Sequence, residues 1–279
     1  MGPRTLRRRR LDRLLDRIRF HIDTFPRRGP LARRSSIGYQ PLPWVGIDGG
    51  ARAAGTWSRW RAIEAELEQH ADIRTALDLG ANNGFFTIKL AERGVAAVAV
   101  EGLDVAYRTA LYAIRKARVD NAAVLTLMLT PATIELLPDV DAVVFLSLWH
   151  HFTRAYGLDA ATEMLARVWE RTGRVMFFDT GENEMPREFR LPSMEPDAET
   201  WLAAFLQRVC SGATIRTLGR HSAFDAERRP AQRTLFAVVR DGHGTANARS
   251  GACTFASTHA GRLARSDQLA SWNAARFSQ

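Results

Sequence analysis

The chain has 279 residues, 46% of them hydrophobic, which is ample for a buried core. No apolar run reaches the roughly eighteen residues that a membrane-spanning helix needs, so we expect none. Its two cysteines, Cys210 and Cys253, lack metal-ligand spacing and form no disulfide framework, so we expect no metal site and a protein of the reducing cytoplasm.

The formal net charge of +9 is concentrated in one segment. Residues 1–34 hold twelve arginines and three aspartates, a surplus equal to that of the whole chain. Because salt screens a charge beyond about 10 Å, this positive field acts only near the segment itself. The rest of the chain is balanced in charge and is not basic as a whole.

Residues 1–36 are predicted to form a basic amphipathic extension. Apolar residues recur at helical spacing between arginines over residues 6–22. Such a helix can dock on the protein or stay partly disordered, lie on an anionic membrane surface, or follow an RNA backbone. Asp12 and Asp16 weigh against the two phosphate-binding alternatives. The apolar stripe is made of Leu11, Leu14, Leu15, Ile18 and Ile22.

Three further segments are predicted from composition and periodicity. Residues 26–43 are rich in Pro, Gly, Ser and Arg, and residues 37–56 are predicted to be a linker. Residues 57–241 alternate between helical and strand patterns and form the predicted catalytic domain. Residues 242–279 lose apolar periodicity, so we expect a disordered tail that buries too little surface to offset the entropy of ordering.

A glycine turn between a strand and a helix is the most informative motif. The predicted strand Thr75–Leu79 runs into Asp-Leu-Gly-Ala-Asn-Asn-Gly over residues 78–84, and a predicted helix follows over Phe85–Arg93. A second strand, Ala96–Val100, ends in Glu101. Such a turn exposes backbone N–H groups at the edge of a sheet, and a carboxylate at the end of the next strand suits a ribose diol. The pattern therefore predicts a nucleoside-binding half.

The spacing of this turn discriminates between nucleosides. In the dinucleotide fingerprint G-x-G-x-x-G the third glycine would fall at Phe85, which is too bulky for a helix to approach a pyrophosphate, so NAD is disfavoured. D-x-G-x-x-x-G followed by aromatic residues instead resembles motif I of the class I S-adenosylmethionine (SAM) dependent methyltransferases. The resemblance implies SAM as cofactor and methyl transfer as the reaction.

The same resemblance implies roles for the residues of the motif. Asp78 would serve the amino-acid end of SAM and Glu101 its ribose, with Gly80 and Gly84 in the turn. Asn82 stands where the family usually has a glycine; Asn enters the left-handed region more readily than most residues, so we expect the turn to form and count Asn82 among the cofactor-binding positions.

The remaining pattern predicts an α/β fold. Five parallel strand units and a closing pair of strands match the Rossmann-like seven-stranded class I methyltransferase sheet, with helices on both faces. The other predicted helices are Trp57–His70, Val105–Ala117, Ala160–Arg171 and Ala198–Cys210. The other predicted strands are Ala122–Leu129, Asp141–Ser147, Arg174–Asp179, Thr214–Leu218 and Thr234–Arg240.

Candidate catalytic groups follow the fourth and fifth strands, whose carboxyl ends should border the ligand. His150 and His151 are candidate bases, because a histidine near neutral pKa can take the proton of an oxygen nucleophile. Asp179 and Glu182 are alternatives, or groups that orient the acceptor. In many relatives an acid after the third strand receives the adenine amino group; here Thr130 or a backbone carbonyl would replace it.

The methyl acceptor is less determined than the cofactor. The wording of residues 78–86 resembles the FkbM-type O-methyltransferases, but their motif after the fourth strand is replaced by Leu-Trp-His-His over residues 148–151, which resembles RNA-modifying enzymes. We expect O-methylation of a glycan, lipid-linked or natural-product hydroxyl, with peripheral membrane contact through residues 6–22. An RNA acceptor and a non-catalytic SAM-binding protein are the alternatives.

Overall fold

A computed structural model of the protein describes residues 39–47 and 52–240. The predictions for the basic extension and for the tail lie outside the described residues. Seven strands form one sheet. They are β1 (Thr75–Leu79), β2 (Ala96–Glu101), β3 (Ala122–Thr126), β4 (Val140–Leu146), β5 (Thr172–Asp179), β6 (Ala213–Phe224) and β7 (Pro230–Arg240). The helices are α1 (Ala53–Leu67), α2 (Phe85–Glu92), α3 (Asp104–Ala117), α4 (Trp149–Tyr156), α5 (Leu158–Glu170) and α6 (Ala198–Val209).

The strand order across the sheet is β3-β2-β1-β4-β5-β7-β6. Strands β1 to β5 pair in parallel, whereas β7 pairs antiparallel with β5 and with β6. The chain crosses from β3 to β4 over the sheet, so the order reverses between β1 and β4. In open α/β sheets the crevice at such a reversal, outside the carboxyl ends of the strands, is where ligands bind.

Alternate residues of the strands pack into two separate cores. On one face, Phe145 and Phe178 join residues of α4, α5 and α6, such as Trp149. On the other face, Val144 and Phe177 join residues of α1 and α2. The α/β architecture with helices on both faces is confirmed.

Several element boundaries differ from the predicted ones for local reasons. Strand β3 ends at Thr126, not Leu129, because its partner β2 ends at Glu101, the residue opposite Thr126. Helix α1 begins at Ala53 rather than Trp57. Helix α4 was not predicted, since its eight residues are too few for a clear periodicity and Gly157, at φ 88°, separates it from α5.

A short segment from the predicted linker packs against the sheet's helices. Leu42 is fully buried with Ile88 of α2 and Ile114 of α3. The side-chain oxygen of Gln40 accepts a hydrogen bond from the backbone N–H of Phe85, the first residue of α2 (3.4 Å). The chain therefore crosses the start of the helix that follows the glycine turn.

Candidate functional site

The glycine turn after β1 has the left-handed conformation expected of it. Gly80, Asn82 and Gly84 have φ values of 65°, 52° and 77°. The N–H of Gly80 donates to the carbonyl oxygen of Val100 in β2 (2.9 Å), which ties the turn to the neighbouring strand. A Cβ at Gly84 would lie 3.1 Å from the Cβ of Ala110 in α3, so a side chain there would push the two helices apart.

Asp78 lies at the carboxyl end of β1 with its side chain buried. Its Oδ2 accepts hydrogen bonds from the backbone N–H (3.1 Å) and the hydroxyl (2.7 Å) of Thr87 in α2. Burial raises the pKa of the Asp78 carboxyl to about 7, because desolvation outweighs these bonds and the negative charge of Glu101 adds to it. Near neutral pH this carboxyl therefore titrates.

Glu101 ends β2 and is wholly buried. Its Oε2 accepts from the N–H of Asn82 (2.8 Å) and its Oε1 from the N–H of Leu103 (2.9 Å). Because Asp78 pairs with Ala99 in the parallel register, the two carboxylates emerge at the same edge of adjacent strands. The two acids predicted to bind the cofactor, Asp78 and Glu101, thus lie together at the glycine turn.

Asn82 has one buried acceptor without a partner. Its side chain is 7% exposed, and its Oδ1 makes no hydrogen bond. A buried polar atom without a partner is uncommon and costs free energy. Asn82 therefore carries an unsatisfied buried acceptor on the same residue whose backbone N–H donates to Glu101.

The loop after β3 uses its threonines internally. The hydroxyl of Thr130 accepts from the backbone N–H of Thr133 (3.1 Å) and lies 3.1 Å from the Thr133 hydroxyl. Thr133 in turn donates to the carbonyl oxygen of Met128 (2.6 Å). Thr130 therefore shapes this loop and stands beside the predicted adenine region with its hydroxyl already engaged.

The paired histidines lie in the first turn of α4, and both are buried. Nδ1 of His150 accepts a hydrogen bond from the backbone N–H of Gly181 (2.9 Å) and lies 3.1 Å from the Thr180 hydroxyl. A neutral His150 ring therefore carries its proton on Nε2. The His151 ring packs on that of His150, with centroids 4.4 Å apart, and both contact Phe189.

Asp179 and Glu182 are engaged in buried networks. Asp179 pairs with Nε of Arg59 (2.5 Å) and accepts from the backbone N–H (2.7 Å) and hydroxyl (2.9 Å) of Ser147. Glu182 accepts from the N–H of Thr234 (2.6 Å) and pairs with Arg220 (3.0 Å). Both carboxylates join β5 to neighbouring elements.

Arg59 and Ser147 are site residues that the sequence-based predictions did not include. Arg59, on α1, is 8% exposed and also donates to the carbonyl oxygen of Ser222 in β6 (2.9 Å). An arginine on the helix face that carries Trp60 and Ile63 was the available signal, because a charged residue among core positions needs a buried partner. Ser147 has a φ of 52°, which gave no sequence signal.

Two absences hold for the part of the chain that the structure describes. Residues 39–47 and 52–240 contain no group of three or more His, Cys, Asp or Glu side chains that could hold a metal ion. Over the same residues, no helix is long and apolar enough to cross a membrane.

Comparison with known proteins decides the fold. No protein-family profile matches the chain, and no curated protein matches it. Among solved structures, a crystal structure of WbdD is similar with a TM-score of 0.55 and 20% identity, over 72% of this chain and 44% of that chain. A second WbdD structure, described as a bifunctional kinase-methyltransferase, gives 0.55 and 20%, over 72% and 43%. This chain has the class I methyltransferase fold.

The match with this chain covers less than half of each WbdD chain. A structure of magnesium protoporphyrin IX methyltransferase (ChlM) from Synechocystis PCC 6803 with bound SAM gives a TM-score of 0.49 at 17% identity, over 65% of this chain and 79% of that chain. At 20% identity, the likeness to the WbdD structures establishes architecture alone, and fold does not fix function.

Proposed function

We propose that this chain is a SAM-dependent methyltransferase that methylates a hydroxyl oxygen of a glycan, lipid-linked or natural-product acceptor. The observation that carries the proposal is the pair of buried acids, Asp78 and Glu101, at adjacent strand ends beside a left-handed glycine turn. Asp78 lies on β1, which borders the strand reversal where α/β sheets bind ligands, and Glu101 lies on the adjacent strand β2.

The cofactor would be held by the turn and by both acids. A carboxylate has about four acceptor sites, so the two backbone N–H groups on Glu101 do not preclude a ribose diol. Asp78, which titrates near pH 7, can offer a negative charge to a cationic ligand. When bound, SAM supplies a methyl group on a positively charged sulfur.

We infer an orienting role for His150, and His151 stays a candidate base. A neutral histidine accepts a proton only at its unprotonated nitrogen, and in His150 that nitrogen already receives the N–H of Gly181. Asp179 is a weaker candidate, because its ion pair with Arg59 and its hydrogen bonds from Ser147 commit both of its oxygens. His150 and Asp179 then hold the ends of β4 and β5 in place around the acceptor.

Cofactor binding is tested first. Mass spectrometry of ligand carried through purification, followed by calorimetry with SAM, should show micromolar affinity, roughly −7 to −9 kcal/mol. Asp78→Ala and Glu101→Ala should each lose most of it. Unchanged affinity in both variants would contradict the proposed cofactor site.

Acceptor and base are tested by turnover. His151→Ala should slow methyl transfer by about 10²-fold or more while SAM affinity is retained. His150→Asn is the matched variant, since its side-chain oxygen can still accept from Gly181, and it should lose less. If only RNA is methylated, the acceptor is RNA and not a glycan, lipid-linked or natural-product hydroxyl. If SAM binds tightly but no acceptor is methylated, the protein is a non-catalytic SAM binder.

A further inference from the structure

The side chain of Asn82 is more than the backbone of the turn requires. At φ 52° a glycine would satisfy the turn without steric cost. Asparagine adds a side chain that is 7% exposed and whose Oδ1 has no partner in the described structure. An unsatisfied buried acceptor is destabilising, and a glycine would avoid it. The side chain therefore has an energetic cost that the fold alone does not explain.

The position of this orphaned oxygen limits what can satisfy it. The backbone N–H of Asn82 donates to Oε2 of Glu101 at 2.8 Å. The Cα of Asn82, which carries the side chain, is bonded directly to that nitrogen. Glu101 is wholly buried. Two acceptors, an amide oxygen and a carboxylate, thus belong to two residues that are joined by a hydrogen bond, and neither acceptor can satisfy the other.

We propose that Asn82 is a cofactor-specificity residue that accepts a hydrogen bond from one ribose hydroxyl while Glu101 accepts from the other. The inference rests on the proposed function, because it assigns a partner to a nucleoside cofactor. A cis-diol presents two donors on adjacent carbons, which matches two neighbouring acceptors on two different residues. The diol is then read by two side chains, and each hydroxyl has its own partner.

Binding of the non-reactive product S-adenosylhomocysteine and its 2′-deoxy and 3′-deoxy analogues tests the assignment by calorimetry. Removing either hydroxyl should weaken binding to the wild type by about tenfold, because a buried acceptor is left unpaired. In Asn82→Gly, which keeps the left-handed turn, the parent ligand should bind about tenfold more weakly. One of the two deoxy analogues should then show no further loss, and the other should keep its full tenfold penalty.

Asn82→Asp is the matched control. Aspartate tolerates the left-handed region and keeps an acceptor at the same place, so both deoxy penalties should persist in it. Thermal unfolding of each variant checks that the fold is retained. If Asn82→Gly does not fold, Asn82→Ser makes the same comparison, because serine is shorter and lacks the amide oxygen.

Three results would overturn the inference. Equal affinity of wild type and Asn82→Gly would make Asn82 a turn residue only. If Asn82→Gly binds more weakly but both deoxy analogues keep their full penalty, the donor that pairs with Asn82 lies elsewhere on the ligand, such as the ammonium group. Failure of the wild type and of Glu101→Ala alike to bind S-adenosylhomocysteine would overturn the proposed function together with this assignment.

Discussion

The buried carboxyl of Asp78 predicts how the stability of this protein changes with pH. Burial raises its pKa from the ordinary 3.8 to about 7, and the hydrogen bonds from Thr87 offset only part of that effect. Because the folded state binds the proton more tightly, the group contributes stability that is fully present below about pH 4 and is lost as the pH rises through 7. Ionised Asp78 therefore destabilises the fold at pH 8.

The magnitude follows from the two pKa values. One unit corresponds to about 1.4 kcal/mol, so the full difference is about 4 kcal/mol, of which about 2–3 kcal/mol falls between pH 5 and pH 8. Asp78→Asn removes the titration. Its amide oxygen can still accept from Thr87, since both of those bonds go to a single oxygen, Oδ2.

Urea unfolding of the wild type and Asp78→Asn at several pH values between 5 and 8 measures this effect. The free energy of unfolding of the variant, relative to the wild type, should rise by about 2–3 kcal/mol over that range. Groups that titrate in both proteins cancel in the difference. Asp72→Asn, at an exposed aspartate paired with Arg174, controls for the general effect of an aspartate-to-asparagine change. A flat difference for Asp78→Asn would refute the reasoning.

Three further predictions test other parts of the structure. Arg59→Ala should lower the free energy of unfolding by about 3–5 kcal/mol, because it leaves the buried Asp179 unpaired, and urea titration measures it. Gly55→Ala should destabilise by about 2 kcal/mol or more, since its Cβ would lie within van der Waals overlap of the Ser222 carbonyl oxygen; thermal unfolding against an Ala53→Gly control checks it. Deleting residues 1–34 should abolish binding to anionic vesicles and leave SAM affinity unchanged, as co-sedimentation and calorimetry would show.

The glycine turn and the central strands could be predicted because each is specified by residues close in sequence. Strand β1 has the predicted bounds, and β2 differs only by including Glu101. Asn82 adopts the left-handed conformation for which its side chain is suited. Local turn chemistry and apolar runs determine these elements.

The partners of the catalytic candidates could not be predicted, because they come from distant segments. The contact between His150 and Gly181 spans 31 positions, and that between Arg59 and Asp179 spans 120. Strand β6 also extends past Gly219, where a bulge between Thr217 and Arg220 lets the pairing continue. Sequence spacing carries no record of such contacts.

The charges around the turn discriminate between nucleosides independently of glycine spacing. Glu101 is close enough to Asp78 to raise its pKa, and the orphaned Asn82 oxygen adds a third acceptor to the same edge of the sheet. A dinucleotide would bring its anionic pyrophosphate to these acceptors, which would raise the energy of the buried acids further. A sulfonium nucleoside brings a positive charge instead, and since both ligands carry ribose hydroxyls, it is the charge that discriminates between them. The electrostatics of the site therefore favour SAM over NAD, as the bulk of Phe85 at the third glycine position also does.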